Sequence, residues 1–148
     1  MKKILAVVFA GLLAFPAGAA DTAEGPPELP VMSGDDVDLK EFLWLKRPIV
    51  VFADTPNDPS FIQQMDFLEE DIPAILLRDI IVVTDTDPAA KSELRRTLRP
   101  RGFMLVLMDK DGGVKMRKPA PWDMREIRRS IDKWPTRQQE IRDNLGKE

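Results

Sequence analysis

Cysteine, histidine and tyrosine are all missing from the 148 residues. A chain without a thiol has no nucleophile for disulfide exchange or peroxide reduction, and offers no cysteine for lipid attachment. Zinc, copper and haem sites are built mainly from cysteine and histidine, so no metal or other cofactor is expected. The Ser-His and Cys-His nucleophile pairs are impossible for the same reason. Any catalysis must run on Asp, Glu, Lys, Arg, Ser or Thr. Long apolar runs are also scarce: one occurs, Ile4 to Phe15, and it is too short for the roughly 20 residues a membrane-spanning helix needs.

That run follows Lys2 and Lys3 and ends at Pro16, before Ala17-Gly18-Ala19-Ala20. A positive start, an apolar middle and a small-residue end are the three parts of a secretory signal, with cleavage expected after Ala19 or Ala20. The expected location is periplasmic or secreted, with no stable membrane anchor once the signal is removed. Residues 21–34 (Gly25-Pro26-Pro27, then Pro30) read as a flexible lead-in, and residues 35–148 are enough for one domain with a proper core.

Charge is unevenly placed. Residues 21–90 hold 16 acidic and 4 basic side chains, and residues 91–148 hold 9 acidic and 16 basic. A folded domain interleaves such halves, so complementary surface charge is the expectation and nucleic acid is not an expected partner.

The periodicities are clearer. Pro48 to Ala53 is apolar throughout, as in a strand buried on both faces. Asp58 followed by Pro59 starts a helix whose stripe is Phe61, Met65, Leu68 and Ile72. Ile80–Val83 forms a second buried strand, and Asp87-Pro88 a second cap-then-proline helix start leading to Leu94 and Leu98. Phe103–Met108 is a third strand. Asp109-Lys110-Asp111-Gly112-Gly113 turns the chain back into an alternating edge strand, Val114–Lys118. A helix from about Trp122 to Trp134 buries Met124, Ile127, Ile131 and Trp134. Pro135 stops it, and Thr136 with Gln139 suggests a capping box for a short last helix. Upstream, Asp35, Asp36 and Asp38 head a short helix that is expected to pack Phe42 and Trp44 on the sheet. Two β-α-β crossovers, an antiparallel hairpin and a closing helix describe an α/β thioredoxin-like sandwich, a mixed sheet flanked by helices.

Several of these segments also carry a resemblance. Trp44 with Arg47-Pro48-Ile49-Val50-Val51-Phe52-Ala53, Arg78-Asp79-Ile80-Ile81-Val82-Val83, Lys110-Asp111-Gly112-Gly113-Val114-Lys115, and Ile131-Asp132 with Pro135 and Arg137-Gln138-Gln139-Glu140 resemble the bacterial domain-of-unknown-function 4174 family. The resemblance implies a thioredoxin-like fold over about residues 35–145 and, through similar modules in secreted animal matrix proteins, a binding role. It implies no activity.

Where a thioredoxin keeps its Cys-x-x-Cys, this chain has Asp54-Thr55-Pro56-Asn57-Asp58-Pro59-Ser60. The proline nearest the hairpin's first strand is Pro100, so a cis bond before Phe103 is not expected. Asp54, Thr55, Asn57, Asp58 and Ser60 are candidate ligand contacts, because α/β sheets bind at the carboxyl ends of their strands. Arg95, Arg99 and Arg101 are a candidate patch for an acidic ligand or an extracytoplasmic protein partner. Asp109, Asp111 and Gly112 begin like a calcium loop, but position twelve is Ala120 where a bidentate Glu is required. The reading is therefore an exported, non-redox binding module. The alternative is a small-ligand protein or cysteine-independent enzyme using the Asp54–Ser60 loop.

Overall fold

The computed structural model describes residues 25–147. The expected signal segment 1–20 lies outside them, as do residues 21–24 of the lead-in. The rest of that lead-in departs from expectation, because Val31–Ser33 forms strand β1 and pairs parallel with Ile80–Asp85, strand β3. Three exposed residues have little periodicity to read. The pairing itself secures the segment.

Arg47–Phe52 is strand β2, and every residue of it is buried. It lies between β3, with which it runs parallel, and Met104–Met108, strand β4, which runs antiparallel. Val114–Lys118, strand β5, completes the sheet in the order β1-β3-β2-β4-β5. The unbroken apolarity of β2 follows from this central position. Ile49 and Val51 enter a core with Ile80, Val82, Leu105 and Leu107, while Val50 and Phe52 enter another with Val83 and Val106.

The first core is covered by three helices: Pro59–Glu69 (α1), Ile72–Leu77 (α2) and Met124–Ile131 (α4). Asp58 caps α1 as expected, accepting from the amides of Ser60 and Phe61. The stripe that predicted one helix through Ile72 is divided, however. Asp71 accepts from Ala74 N–H and Pro73 stands at the first turn of α2, so capping and the missing proline donor restart the helix there. Met124, Ile127, Ile131 and Trp134 are all buried, as their spacing predicts. Gln64 on α1 is fully buried as well. Its amide donates to Trp122 O at 2.9 Å and accepts from Trp122 N–H at 2.8 Å, so a side chain takes both backbone groups of the segment entering α4.

The second core is covered by Glu93–Leu98 (α3) and by short 3-10 turns at Gly34–Asp36 and Leu39–Phe42. Asp87-Pro88 starts only one 3-10 turn; Lys91 then enters the left-handed region, and Ser92 caps α3 proper. Phe42 packs against this core, but Trp44 does not reach the sheet and is 68% exposed. Its φ of 61° directs the chain outward, away from the packing expected of it.

Pro135 begins Pro135–Leu145 (α5) directly, at a helix position that needs no donor. The expected capping box is absent: no side chain caps α5, and the Thr136 hydroxyl turns instead to Asp109. No cis peptide occurs among the described residues, the bond before Phe103 included.

Two glycines are required by backbone conformation, and they separate strain from crowding. Gly102 (φ 58°) has open space where a Cβ would stand, whereas at Gly112 (φ 83°) that atom would meet Leu43 Cδ2 at 2.9 Å. Gly102→Ala should cost the left-handed penalty alone, about 1–2 kcal/mol. Gly112→Ala should cost more, because Leu43 must also move. Urea denaturation of the two variants measures the difference.

Candidate functional site

A parallel strand pair and an antiparallel neighbour bring the start of β2, the start of β3 and the end of β4 to one pole of the sheet. Each contributes a charged residue there: Arg47, Arg78 with Asp79, and Asp109 with Lys110. The first turns of α5 close over them. Arg47 is completely buried, and Asp109 is 1% exposed.

All five guanidinium N–H groups of Arg47 have acceptors. Nε donates to Asp109 Oδ1 at 3.1 Å; Nη1 donates to Arg78 O at 2.9 Å and Glu140 Oε2 at 3.1 Å; Nη2 donates to Thr136 Oγ1 at 3.1 Å and Glu140 Oε1 at 3.0 Å. Asp109 also accepts from the Thr136 hydroxyl and from Lys110 N–H, both at 2.8 Å. Lys110 Nζ bridges Asp79 at 2.7 Å and Glu140 at 2.8 Å. Arg78 takes Asp132 in a fork, with both bonds at 2.9 Å. Arg137 stands beside Asp132 and Glu140, its Nε left without a hydrogen-bond partner.

Burial pushes the Glu140 carboxyl up, but the hydrogen bonds and charges of Arg47 and Lys110 outweigh it and hold the group at about 2. Burial likewise opposes ionisation of Asp132 and Lys110. Arg78 and Arg137 nevertheless lower Asp132, and Asp79 and Glu140 raise Lys110. Glu140, Asp132 and Lys110 are thus held in their charged forms by their neighbours. A buried network of this kind specifies structure.

At the opposite pole, the Asp54–Ser60 loop occupies the carboxyl end of β2. Asp54, Thr55 and Asn57 are exposed, and Asp58 and Ser60 half-buried. The polar groups serve the loop itself. Thr55 Oγ1 accepts from Asn57 N–H at 3.3 Å, and Asp58 Oδ1 covers the Ser60 and Phe61 amides at 2.8 and 3.4 Å. Those amides are the donors an anion would use at the start of α1.

Of the three candidate arginines, Arg95 is engaged within the fold. Arg95 turns inward: Nε donates to Asp85 Oδ1 at 2.8 Å, Nη2 to Ala53 O at 2.7 Å, and the guanidinium lies 5.4 Å from the centre of the Phe52 ring. Ser92 donates to the same carboxylate at 2.6 Å. Arg99 ends α3 with φ 50°, and it and Arg101 remain exposed. Asp85 and Arg95 therefore tie β2, β3 and α3 together.

Sequence reasoning missed the Leu43-Trp44-Leu45 projection. These side chains are 40%, 68% and 64% exposed, and the Trp44 N–H is held by Lys110 O at 2.8 Å. Beside them an apolar groove of about 280 Å³ is lined by Val37, Leu39, Leu43, Leu94 and Met108, with Asp38, Lys40 and Glu93 among its polar members. The available signal was three large apolar residues between Phe42 and Lys46 with no strand or helix period to bury them.

The sheet order and helix placement are those of a thioredoxin-like α/β domain. Solved structures agree. Chloroplastic thioredoxin z matches over 72% of this chain and 94% of its own, with 19% identity and a TM-score of 0.54. The reduced 2-Cys peroxiredoxin of Plasmodium vivax matches over 65% and 81%, with 16% identity and a TM-score of 0.52. At these identities the likeness concerns fold alone. The chain belongs to the family described as domain of unknown function DUF4174, whose model matches residues 38–140. A search of curated proteins finds no match.

Removing one member of the buried pair strands the other. Arg47→Met should cost about 3–5 kcal/mol in urea denaturation, and Arg47→Lys should recover little, since an ammonium cannot fill five fixed directions. Glu140 gives a pH signature. Its folded pKa of about 2 lies below the ordinary 4.5, so its contribution is full above about pH 5 and is lost as pH falls towards 2. The loss amounts to roughly 3 kcal/mol, and Glu140→Gln should flatten that part of the stability–pH curve.

Proposed function

We propose that the protein is an exported, non-catalytic thioredoxin-like module that binds another protein through the pole where Leu43, Trp44 and Leu45 project. One observation carries this reading: Trp44 stands 68% exposed on a left-handed backbone whose N–H is held by Lys110 O. Its left-handed conformation costs roughly 1–2 kcal/mol and its exposed indole gains nothing from the chain's own core. An aromatic side chain kept outward at such a cost, beside an apolar groove, has the character of an interface anchor.

Export is supported by the charged, apolar and small-residue pattern of residues 1–20. A redox role has no thiol to perform it. Use of the Asp54–Ser60 loop by a small ligand or as an enzyme site finds less support, since Asp58 and Thr55 are occupied by the loop's own amides.

Trp44→Ala should change stability by no more than about 0.5 kcal/mol, as for other surface positions. A photo-reactive residue at position 45 should give discrete protein adducts in the native host, and Trp44→Ala should abolish them. Substrate turnover by the purified protein that disappears in Asp54→Ala or Asp58→Ala would sink this reading, as would adducts indifferent to Trp44.

A further inference from the structure

Ion pairs join the acidic and basic parts of the chain: Arg47–Asp109, Arg47–Glu140, Arg78–Asp132, Arg95–Asp85, Lys110–Asp79 and Arg128–Asp71 each link a residue before 91 with one after it. Of the cations that take part in no such pair, one group lies on two neighbouring elements. Lys115 and Lys118 on β5, and Arg125, Arg129 and Lys133 on or just after α4, take part in no ion pair among the described residues.

Three of them, Lys118, Arg129 and Lys133, stand at a second feature. β5 is the last strand of the sheet, so its outer edge has no strand neighbour among the described residues. Between that strand and α4 lies a cleft of about 460 Å³ that Met116, Trp122 and Trp134 line together with Arg129, Lys133 and Glu126. Lys118 Nζ lies 4.6 Å from the centre of the Trp122 ring, at the same edge.

We propose that this edge takes an extended acidic segment of a partner protein as a sixth strand. A free strand edge presents alternating N–H and C=O groups, which another peptide backbone can match and a generic polyanion cannot. Side chains of an added strand alternate between the two faces of the sheet. One set meets the face of Val114 and Arg117, with Lys115 at the bulge between them; the other meets the apolar cleft rimmed by Arg129 and Lys133. The complementary segment therefore alternates acidic with apolar residues. Lysines on an edge strand repel a second basic edge, and the same charge selects an acidic one. This surface is separate from the Trp44 pole, and its failure would leave the reading of that pole standing.

The test is fluorescence anisotropy of the full chain with a labelled peptide of alternating Glu and Val. Binding is expected, with at least about a tenfold loss when alternate peptide amides are N-methylated, and a similar loss for Arg129→Glu combined with Lys133→Glu. Circular dichroism of the double variant, whose substitutions are both exposed, should be unchanged. A Lys-Val peptide should not bind. The proposal is overturned if the Glu-Val peptide does not bind, or if heparin or the N-methylated peptide binds as tightly. Self-association that the peptide fails to displace overturns it too, since a second copy then occupies the edge.

Discussion

A guanidinium group at the first position of the central strand is the constraint around which this domain is arranged. Arg47 is fully buried. Five N–H directions must find oxygen without help from water, because an unpaired buried charge costs several kcal/mol. Meeting that demand takes a carboxylate from the end of β4, a carbonyl from the entry to β3, and a hydroxyl and a carboxylate from α5. Three strands and the last helix are thereby referenced to one planar group. Such an arrangement need not exceed a hydrophobic core of equal volume in net stability. What it contributes is register, since a strand shifted by a residue would leave the charge unmatched.

The residues that carry the family resemblance acquire a physical meaning here. Arg47, Arg78-Asp79, Lys110, Asp132 and Arg137 with Glu140 come from four separate segments, and all belong to this one network. They lie at the pole opposite the loop in which a thioredoxin holds its cysteines. In this chain those residues close one pole of the sheet. Through Lys110 the network reaches the surface, where the same residue's carbonyl holds the Trp44 amide.

Much of the fold was legible because its signals are local. The apolar run of β2, the Asp58-Pro59 start of α1 and the stripe from Met124 to Trp134 each follow from a few adjacent residues, and each was found. Failures came where a distant partner decides the outcome. Thr136 has the spacing of a capping residue, yet buried Asp109 takes its hydroxyl. Gln64, which no local pattern singles out, is buried by its bonds to Trp122. Arg95 and Arg99 are a helical turn apart, but Asp85 draws the first inward. The division at Asp71 was a local signal, its cap and proline standing in plain view, overridden by an apolar stripe that ran past it.

The separation of partners in the network also bears on the order of assembly. Arg47 and Glu140 are 93 residues apart in sequence. A chain that emerges N-terminus first, from a ribosome or a translocation channel, presents β2 long before α5 exists. During that interval the guanidinium has no complete set of acceptors inside the protein and is better served by water, so the central strand has a reason to stay hydrated. The complete set of acceptors exists only once nearly the whole domain is available. A buried arginine at the start of the central strand thus makes the last helix a condition of its full satisfaction.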